Sequence, residues 1–243
     1  MYQNYIFDLY GTLADIHTNE QKPYLWKKLS CLFSLKGAMY APQELKNSYQ
    51  RLLSELEHQA FLQVTHSAHA ICLPEINISI LFSRLLADKG VTVTQQEIAD
   101  IALFFRSISL EHLSLFDGVP ELLQDLKSAG KKIYLLSNAQ ALFTRPELDL
   151  LGLTPWFDGI LLSSEAGRQK PDPEFFQALL NRYSLKANES VMIGNDDIAD
   201  CLGAFGAGMD SFYIRTPQSP IPMKPLPENC REITHIRQVF PTT

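Results

Sequence analysis

The period of the hydrophobic pattern changes along the chain. Near the start a short apolar run, Tyr5-Ile6-Phe7, reads as a buried strand, cut off by Asp8 and then by Gly11-Thr12. From about residue 18 to residue 114, apolar positions recur at helical spacing instead. Tyr24, Leu25, Lys28 and Leu32 mark a first stripe, and Leu45, Tyr49, Leu52, Leu53 and Leu56 a second after Pro42. Ile78, Leu81, Phe82, Leu85 and Leu86 form a third, closed by Gly90. Thr94 with Glu97 has the spacing of a capping box, opening a fourth through Ile98, Ile101, Ala102, Phe105 and Ile108. Four amphipathic helices in a row, without strands, predict an inserted helical bundle.

After Phe116-Asp117-Gly118 the pattern alternates helix with strand. A helix from about Val119 to Ala129 precedes the apolar run Ile133 to Leu136, which stops at Ser137-Asn138. A short helix is expected after Arg145-Pro146, then a strand from Gly159 to Leu162 and a helix from about Pro173 to Tyr183. Ser190 to Ile193 form a further strand, ended by Gly194-Asn195-Asp196-Asp197, and Ser211 to Ile214 the last clear one before a proline-rich loop, Thr216 to Pro227. This alternation predicts an α/β fold with a doubly wound, Rossmann-like parallel sheet. The expected division is a core from residues 1–14 and 115–243 and a helical domain from 15–114.

Composition narrows the function classes. Hydrophobic residues make up 46% of the 243, enough for a sizeable core. The net charge of -6 leaves no basic excess to meet phosphates, so no nucleic-acid partner is expected. Cys31, Cys72, Cys201 and Cys230 form no CxxC pair and read as thiols in a reducing compartment. No run approaches a membrane span, and the first strand starts too close to Met1 for a secretion leader. No membrane partner is expected, and the expected location is the cytoplasm. The oligomeric state is not legible.

In a parallel sheet the carboxyl ends of the strands share one edge, where open α/β folds bind ligands. Asp8, Ser137-Asn138 and Asn195-Asp196-Asp197 all fall there, and Lys170 enters from a loop on the same edge. The motifs are Asp8 through Thr12, Ser137 after a strand, Lys170-Pro171-Asp172-Pro173 before a helix, and Gly194 through Asp200 followed by Gly203-Ala204. In this order they resemble the haloacid dehalogenase superfamily over nearly the whole chain. The insert between the first two motifs resembles that family's helical cap.

The resemblance implies an enzyme acting on a small anionic substrate. Asp8 becomes the nucleophile, Ser137 and Lys170 bind and neutralise the substrate, and Gly11, Thr12 and Asn138 add donors. A Mg²⁺ cofactor is implied, with Asp8, the carbonyl of Tyr10 and an acid of the fourth motif as ligands. Asn195 stands where the family often has aspartate, so Asp196 is the favoured ligand, with Asp200 beside it and Asn195 as the alternative. The bland reading is that these acids only cap a helix.

Tyr10 departs from the family's phosphatases, which carry an acid/base aspartate there. Tyrosine, with an ordinary pKa near 10, is a poor substitute. The Asp-x-Tyr-Gly-Thr-Leu form resembles the 2-haloacid dehalogenases, whose halide leaves without a proton. Against that branch, Phe176 replaces its tyrosine, and the stretch from Asp15 to Lys46 lacks its arginine. The favoured expectation is a Mg²⁺-dependent hydrolase of a small phosphomonoester. A haloacid dehalogenase, or a binding protein that lost turnover through Tyr10, are the alternatives. His66 and His69, near Glu57 and His58, have metal-like spacing but lack an evident fourth ligand. Gly203, Gly206 and Gly208 fall at a helix end, where packing and a C-cap explain them better than a dinucleotide fingerprint.

Overall fold

The computed structural model describes residues 2–64, 74–221 and 225–240. Cys72, His66 and His69 lie outside these. In chain order the elements begin with β1 (Asn4–Phe7), β2 (Ala14–Thr18) and the helices α1 (Pro23–Leu35), α2 (Pro42–Val64), α3 (Ile78–Ala87) and α4 (Gln95–Ser109). They continue with β3 (Leu110–Leu115), α5 (Val119–Ser128), β4 (Lys132–Ser137), α6 (Ala141–Leu150), β5 (Gly159–Leu162) and α7 (Ser163–Ala166). Then follow α8 (Pro173–Tyr183), β6 (Ser190–Gly194), a π-type helical turn (Asp197–Leu202), α9 (Gly203–Gly206), β7 (Asp210–Ile214) and β8 (Cys230–Ile233).

The main sheet has the order β5-β4-β1-β6-β7-β8, every pairing parallel. Chain order reverses at β1, which pairs Phe7 with Leu135 of β4 and with Ile193 of β6. That register brings the carboxyl ends of β1, β4 and β6 side by side, at the switch point where such sheets bind ligands.

Strand residues alternate between two buried faces, as the two-residue period requires. Tyr5, Phe7, Leu135 and Ile193 pack with Val119, Leu122, Leu123 and Leu126 of α5. Ile6, Leu136 and Met192 pack with Phe175, Phe176, Leu179 and Leu180 of α8 on the other face. The helical insert has its own core, in which Trp26, Tyr49, Phe82 and Phe105 meet. Phe143 of α6 joins it, stacked on Phe105 with ring centroids 6.1 Å apart. Thr94 and Glu97 exchange the two bonds of the capping box at the start of α4.

Three expectations are corrected. The insert is not strand-free: β2 and β3, at its entry and exit, form an antiparallel ribbon pairing Ile16 with Leu113. The two chain passages run side by side, so their backbone groups satisfy each other. α6 starts at Ala141 and carries Pro146 inside it. Its first N–H, that of Ala141, donates to Ser164 Oγ, so the helix is anchored upstream of the proline. Finally, β8 extends the sheet past the proline-rich loop, pairing Ile233 with Ile214.

Candidate active site

Asp8 leaves β1 and is 8% exposed. Its Oδ1 accepts from Ser137 Oγ at 2.9 Å and from Lys170 Nζ at 2.7 Å. Thr12 Oγ1 stands 3.5 Å from the other oxygen, Oδ2. One oxygen is therefore held by two donors, while the second has the longer Thr12 contact. Gly11 turns the chain with φ +80°, and a Cβ there would fall 2.3 Å from the Asn195 amide nitrogen. Glycine is required by both the backbone angle and the close approach.

Lys170 is 3% exposed and also donates to Asp200 Oδ1 at 2.6 Å. Burial works against its charge, but the two carboxylates outweigh it and raise its pKa above the ordinary lysine value. Lys170 therefore stays an ammonium beside Asp8. Asp200, fully enclosed, is pushed the other way from most paired acids, chiefly by burial.

Asn138 has a different job from the donor expected. Its Oδ1 accepts the main-chain N–H of Lys170 at 2.7 Å, and its Nδ2 donates to the Lys170 carbonyl at 3.0 Å. It fastens the lysine loop to the end of β4. Asp196 Oδ1 accepts from the N–H groups of Ile198 and Ala199 at 2.9 and 2.7 Å, capping the π-type turn. Asn195 Oδ1 accepts from Thr12 Oγ1 at 3.2 Å. Asp8, Ser137, Asn138, Lys170, Asn195 and Asp196, with Tyr10, line a cavity of about 220 Å³ at the sheet edge that Gln218 also borders.

The Tyr10 phenol is bonded away from Asp8. It donates to Glu147 Oε2 and shares a 3.0 Å bond with Thr144 Oγ1. Glu147 in turn accepts from Arg106 Nε at 2.5 Å, and the guanidinium lies over the Phe143 ring, 5.0 Å from its centroid. Burial, then the charge and hydrogen bond of Glu147, raise the phenol above its ordinary range. Sequence reasoning missed Arg106, Thr144 and Glu147. The available signal was that Glu147 falls on the buried stripe of α6, with Phe143, Thr144 and Leu148. A carboxylate on an apolar face implies a partner.

The side-chain oxygens bordering the cavity suit a hard cation in type: the Asp8 and Asp196 carboxylates and the Asn195 amide. They form no all-protein cage, since no group of three His, Cys, Asp or Glu side chains gathers as metal ligands among the described residues. Such a donor set fits an ion that keeps several waters, as Mg²⁺ does.

Comparison with known proteins agrees with this geometry. The chain is 35% identical over 105 residues to a ribulose-1,5-bisphosphate 5-phosphatase of Halopiger xanaduensis, covering 43% of this chain and 44% of that one. It is 29% identical over 135 residues to a glyceraldehyde 3-phosphate phosphatase of Methanothermobacter thermautotrophicus, covering 56% and 60%. These matches span about half the length of those relatives. The fold matches a 2-haloacid dehalogenase of Pseudomonas syringae with a TM-score of 0.62 at 22% identity, covering 98% and 96%. No helix among the described residues is long and apolar enough to cross a membrane. The model of the haloacid dehalogenase-like hydrolases matches residues 2–208, and the chain belongs to that family of hydrolases.

Proposed function

We propose that this hydrolase cleaves a small phosphomonoester with Asp8 as nucleophile, beneath the helical insert of residues 15–114 acting as a cap. The observation that carries the reading is the oriented carboxylate: Oδ1 is held by Ser137 and Lys170, and Oδ2 is left for attack. The phosphatases among the relatives support the choice of phosphorus as the atom attacked.

In the first step Asp8 Oδ2 bonds to phosphorus and the ester oxygen departs with its electron pair, taking a proton from water. In the second, water attacks the acyl phosphate at phosphorus, releasing inorganic phosphate and the free carboxylate. Lys170 offsets the repulsion between an anionic nucleophile and an anionic ester, and Ser137 Oγ would turn its one proton from Asp8 Oδ1 to a phosphoryl oxygen once the ester is bound. Asp200 keeps the ammonium aimed, and Asn138 keeps its loop in place. When bound, Mg²⁺ would supply further charge neutralisation at the phosphoryl group. Its candidate ligands are Asp8, the Tyr10 carbonyl, and Asp196 or Asn195, with Asp200 already engaged by Lys170.

Carbon–halogen hydrolysis is a second reading, favoured by the tied phenol of Tyr10, since halide needs no proton. Assaying the protein on phosphoesters and on 2-haloacids, each with and without Mg²⁺, separates the two. Phosphate release that depends on Mg²⁺ is the expected result; halide release alone would replace the phosphatase reading.

A further inference from the structure

A second cavity of about 330 Å³ adjoins the reaction pocket, and Tyr10 and Asn138 line both. Its wall also includes Glu20, Glu75 and Arg106, contributed by the insert, and Gln140, Phe143 and Thr144 at the start of α6. A group leaving phosphorus at Asp8 has this space beside it. Its lining therefore bears on which leaving group fits.

The charges do not balance in favour of an anion. Arg106, the one cation among the described residues of the wall, is already engaged by Glu147 at 2.5 Å. Among the described residues the Glu75 carboxylate is held by neutral donors: Gln140 Nε2 at 2.9 Å, Ser163 Oγ at 2.7 Å and the Ile76 main chain. Glu20, which follows β2, is half-buried; burial raises both acids above the usual carboxylate range, with Arg106 only partly offsetting the effect at Glu20. Two carboxylates on separate loops thus border the same space with acceptor capacity to spare. A second anionic group on the substrate would meet them as well as the phosphoryl charge. Hydroxyl or ammonium donors would complement them.

We propose that this cavity selects a phosphomonoester whose leaving group carries hydrogen-bond donors, ammonium above hydroxyl, and rejects one bearing a second negative charge. The proposal rests on the phosphomonoester reading. Glu20 and Glu75 are its specificity determinants. Electrostatic mismatch supplies the discrimination more than added affinity does.

The test uses phosphoethanolamine, glycerol 3-phosphate and phosphoglycolate, similar in size and differing in leaving-group charge. Binding to the full-length Asp8→Asn protein is read by calorimetry, and turnover by the wild type in parallel. Affinity is expected to fall in that order, with phosphoglycolate weaker than phosphoethanolamine by about tenfold or more. Glu20→Gln should shrink that ratio several-fold, and Glu75→Gln is the second variant should the first fold poorly. Equal affinities, tighter binding of phosphoglycolate, failure of all three to bind, or a ratio unmoved in both variants would overturn the cavity proposal. The ordered binding without any phosphate release by the wild type would instead overturn the phosphatase reading and leave the selectivity standing.

Discussion

The carboxylate of Glu147 accepts the phenolic proton of Tyr10, and this bond decides what the tyrosine does. Tyr10 occupies the second position after Asp8, yet its hydroxyl is engaged by α6. It joins the loop after β1 to Arg106 of the insert through one buried carboxylate.

Removing the phenol should therefore affect stability more than chemistry. Tyr10→Phe leaves Glu147 with one fewer donor in a buried site and should cost about 1–3 kcal/mol. The pH dependence has a definite sign. A phenol raised in the folded state stabilises fully below the unfolded value near 10, and that contribution is lost as pH rises through the folded value. Wild-type stability should thus fall more steeply than that of Tyr10→Phe above about pH 10. Denaturant titrations from neutral pH to pH 11 check both points.

Arg106 and Glu147 form a pair with side chains only 13% and 5% exposed. Arg106→Met strands the carboxylate and should lower stability by roughly 3–5 kcal/mol. The double variant Arg106→Met, Glu147→Leu should recover much of that loss, because no charge then stays buried without a partner. Thermal unfolding of the four proteins in the cycle gives the answer. Equal losses in the single and double variants would show that packing, not charge, holds α4 to α6.

Lys170 separates two carboxylates, at 2.7 Å from Asp8 and 2.6 Å from Asp200. Lys170→Met leaves the acids facing each other and the substrate charge unmet. Turnover should drop by about 10²–10³-fold, the usual cost of a lost electrostatic stabiliser. Steady-state kinetics on the best phosphoester measures it, with circular dichroism to show that the variant folds.

Thr94 caps α4, accepting the Glu97 N–H at 3.2 Å. Thr94→Ala should cost about 1 kcal/mol, with no change in activity. Urea denaturation checks the first and an activity assay the second.

Much of this was legible because local chemistry and tertiary position agree. Asp8, Ser137 and the Gly194 stretch end strands whose apolar runs are plain, so a parallel sheet gathers them. Helical periodicity likewise marks α1 to α4. What escaped depends on contacts that no local pattern encodes. The ribbon of β2 and β3 pairs segments separated by the whole insert, and β8 is a short edge strand with two exposed residues, Arg231 and Glu232. The start of α6 is set by Ser164, 23 positions downstream of Ala141. The choice between Asp196 and Asn195 as candidate metal ligand was beyond reach for a similar reason. Asp196 and Asn195 differ in what they already bond, the turn N–H groups and Thr12, and neighbouring positions in a motif do not reveal that.

The central claim is that Asp8 forms the covalent bond. The direct measurement is rapid acid quench of the wild type during turnover of ³²P-labelled acetyl phosphate, followed by borohydride reduction and peptide mass analysis. Label should remain on the protein, reduction should convert residue 8 to homoserine, and Asp8→Asn should show neither label nor turnover. Undiminished phosphate release by Asp8→Asn, or label on another residue, would contradict it.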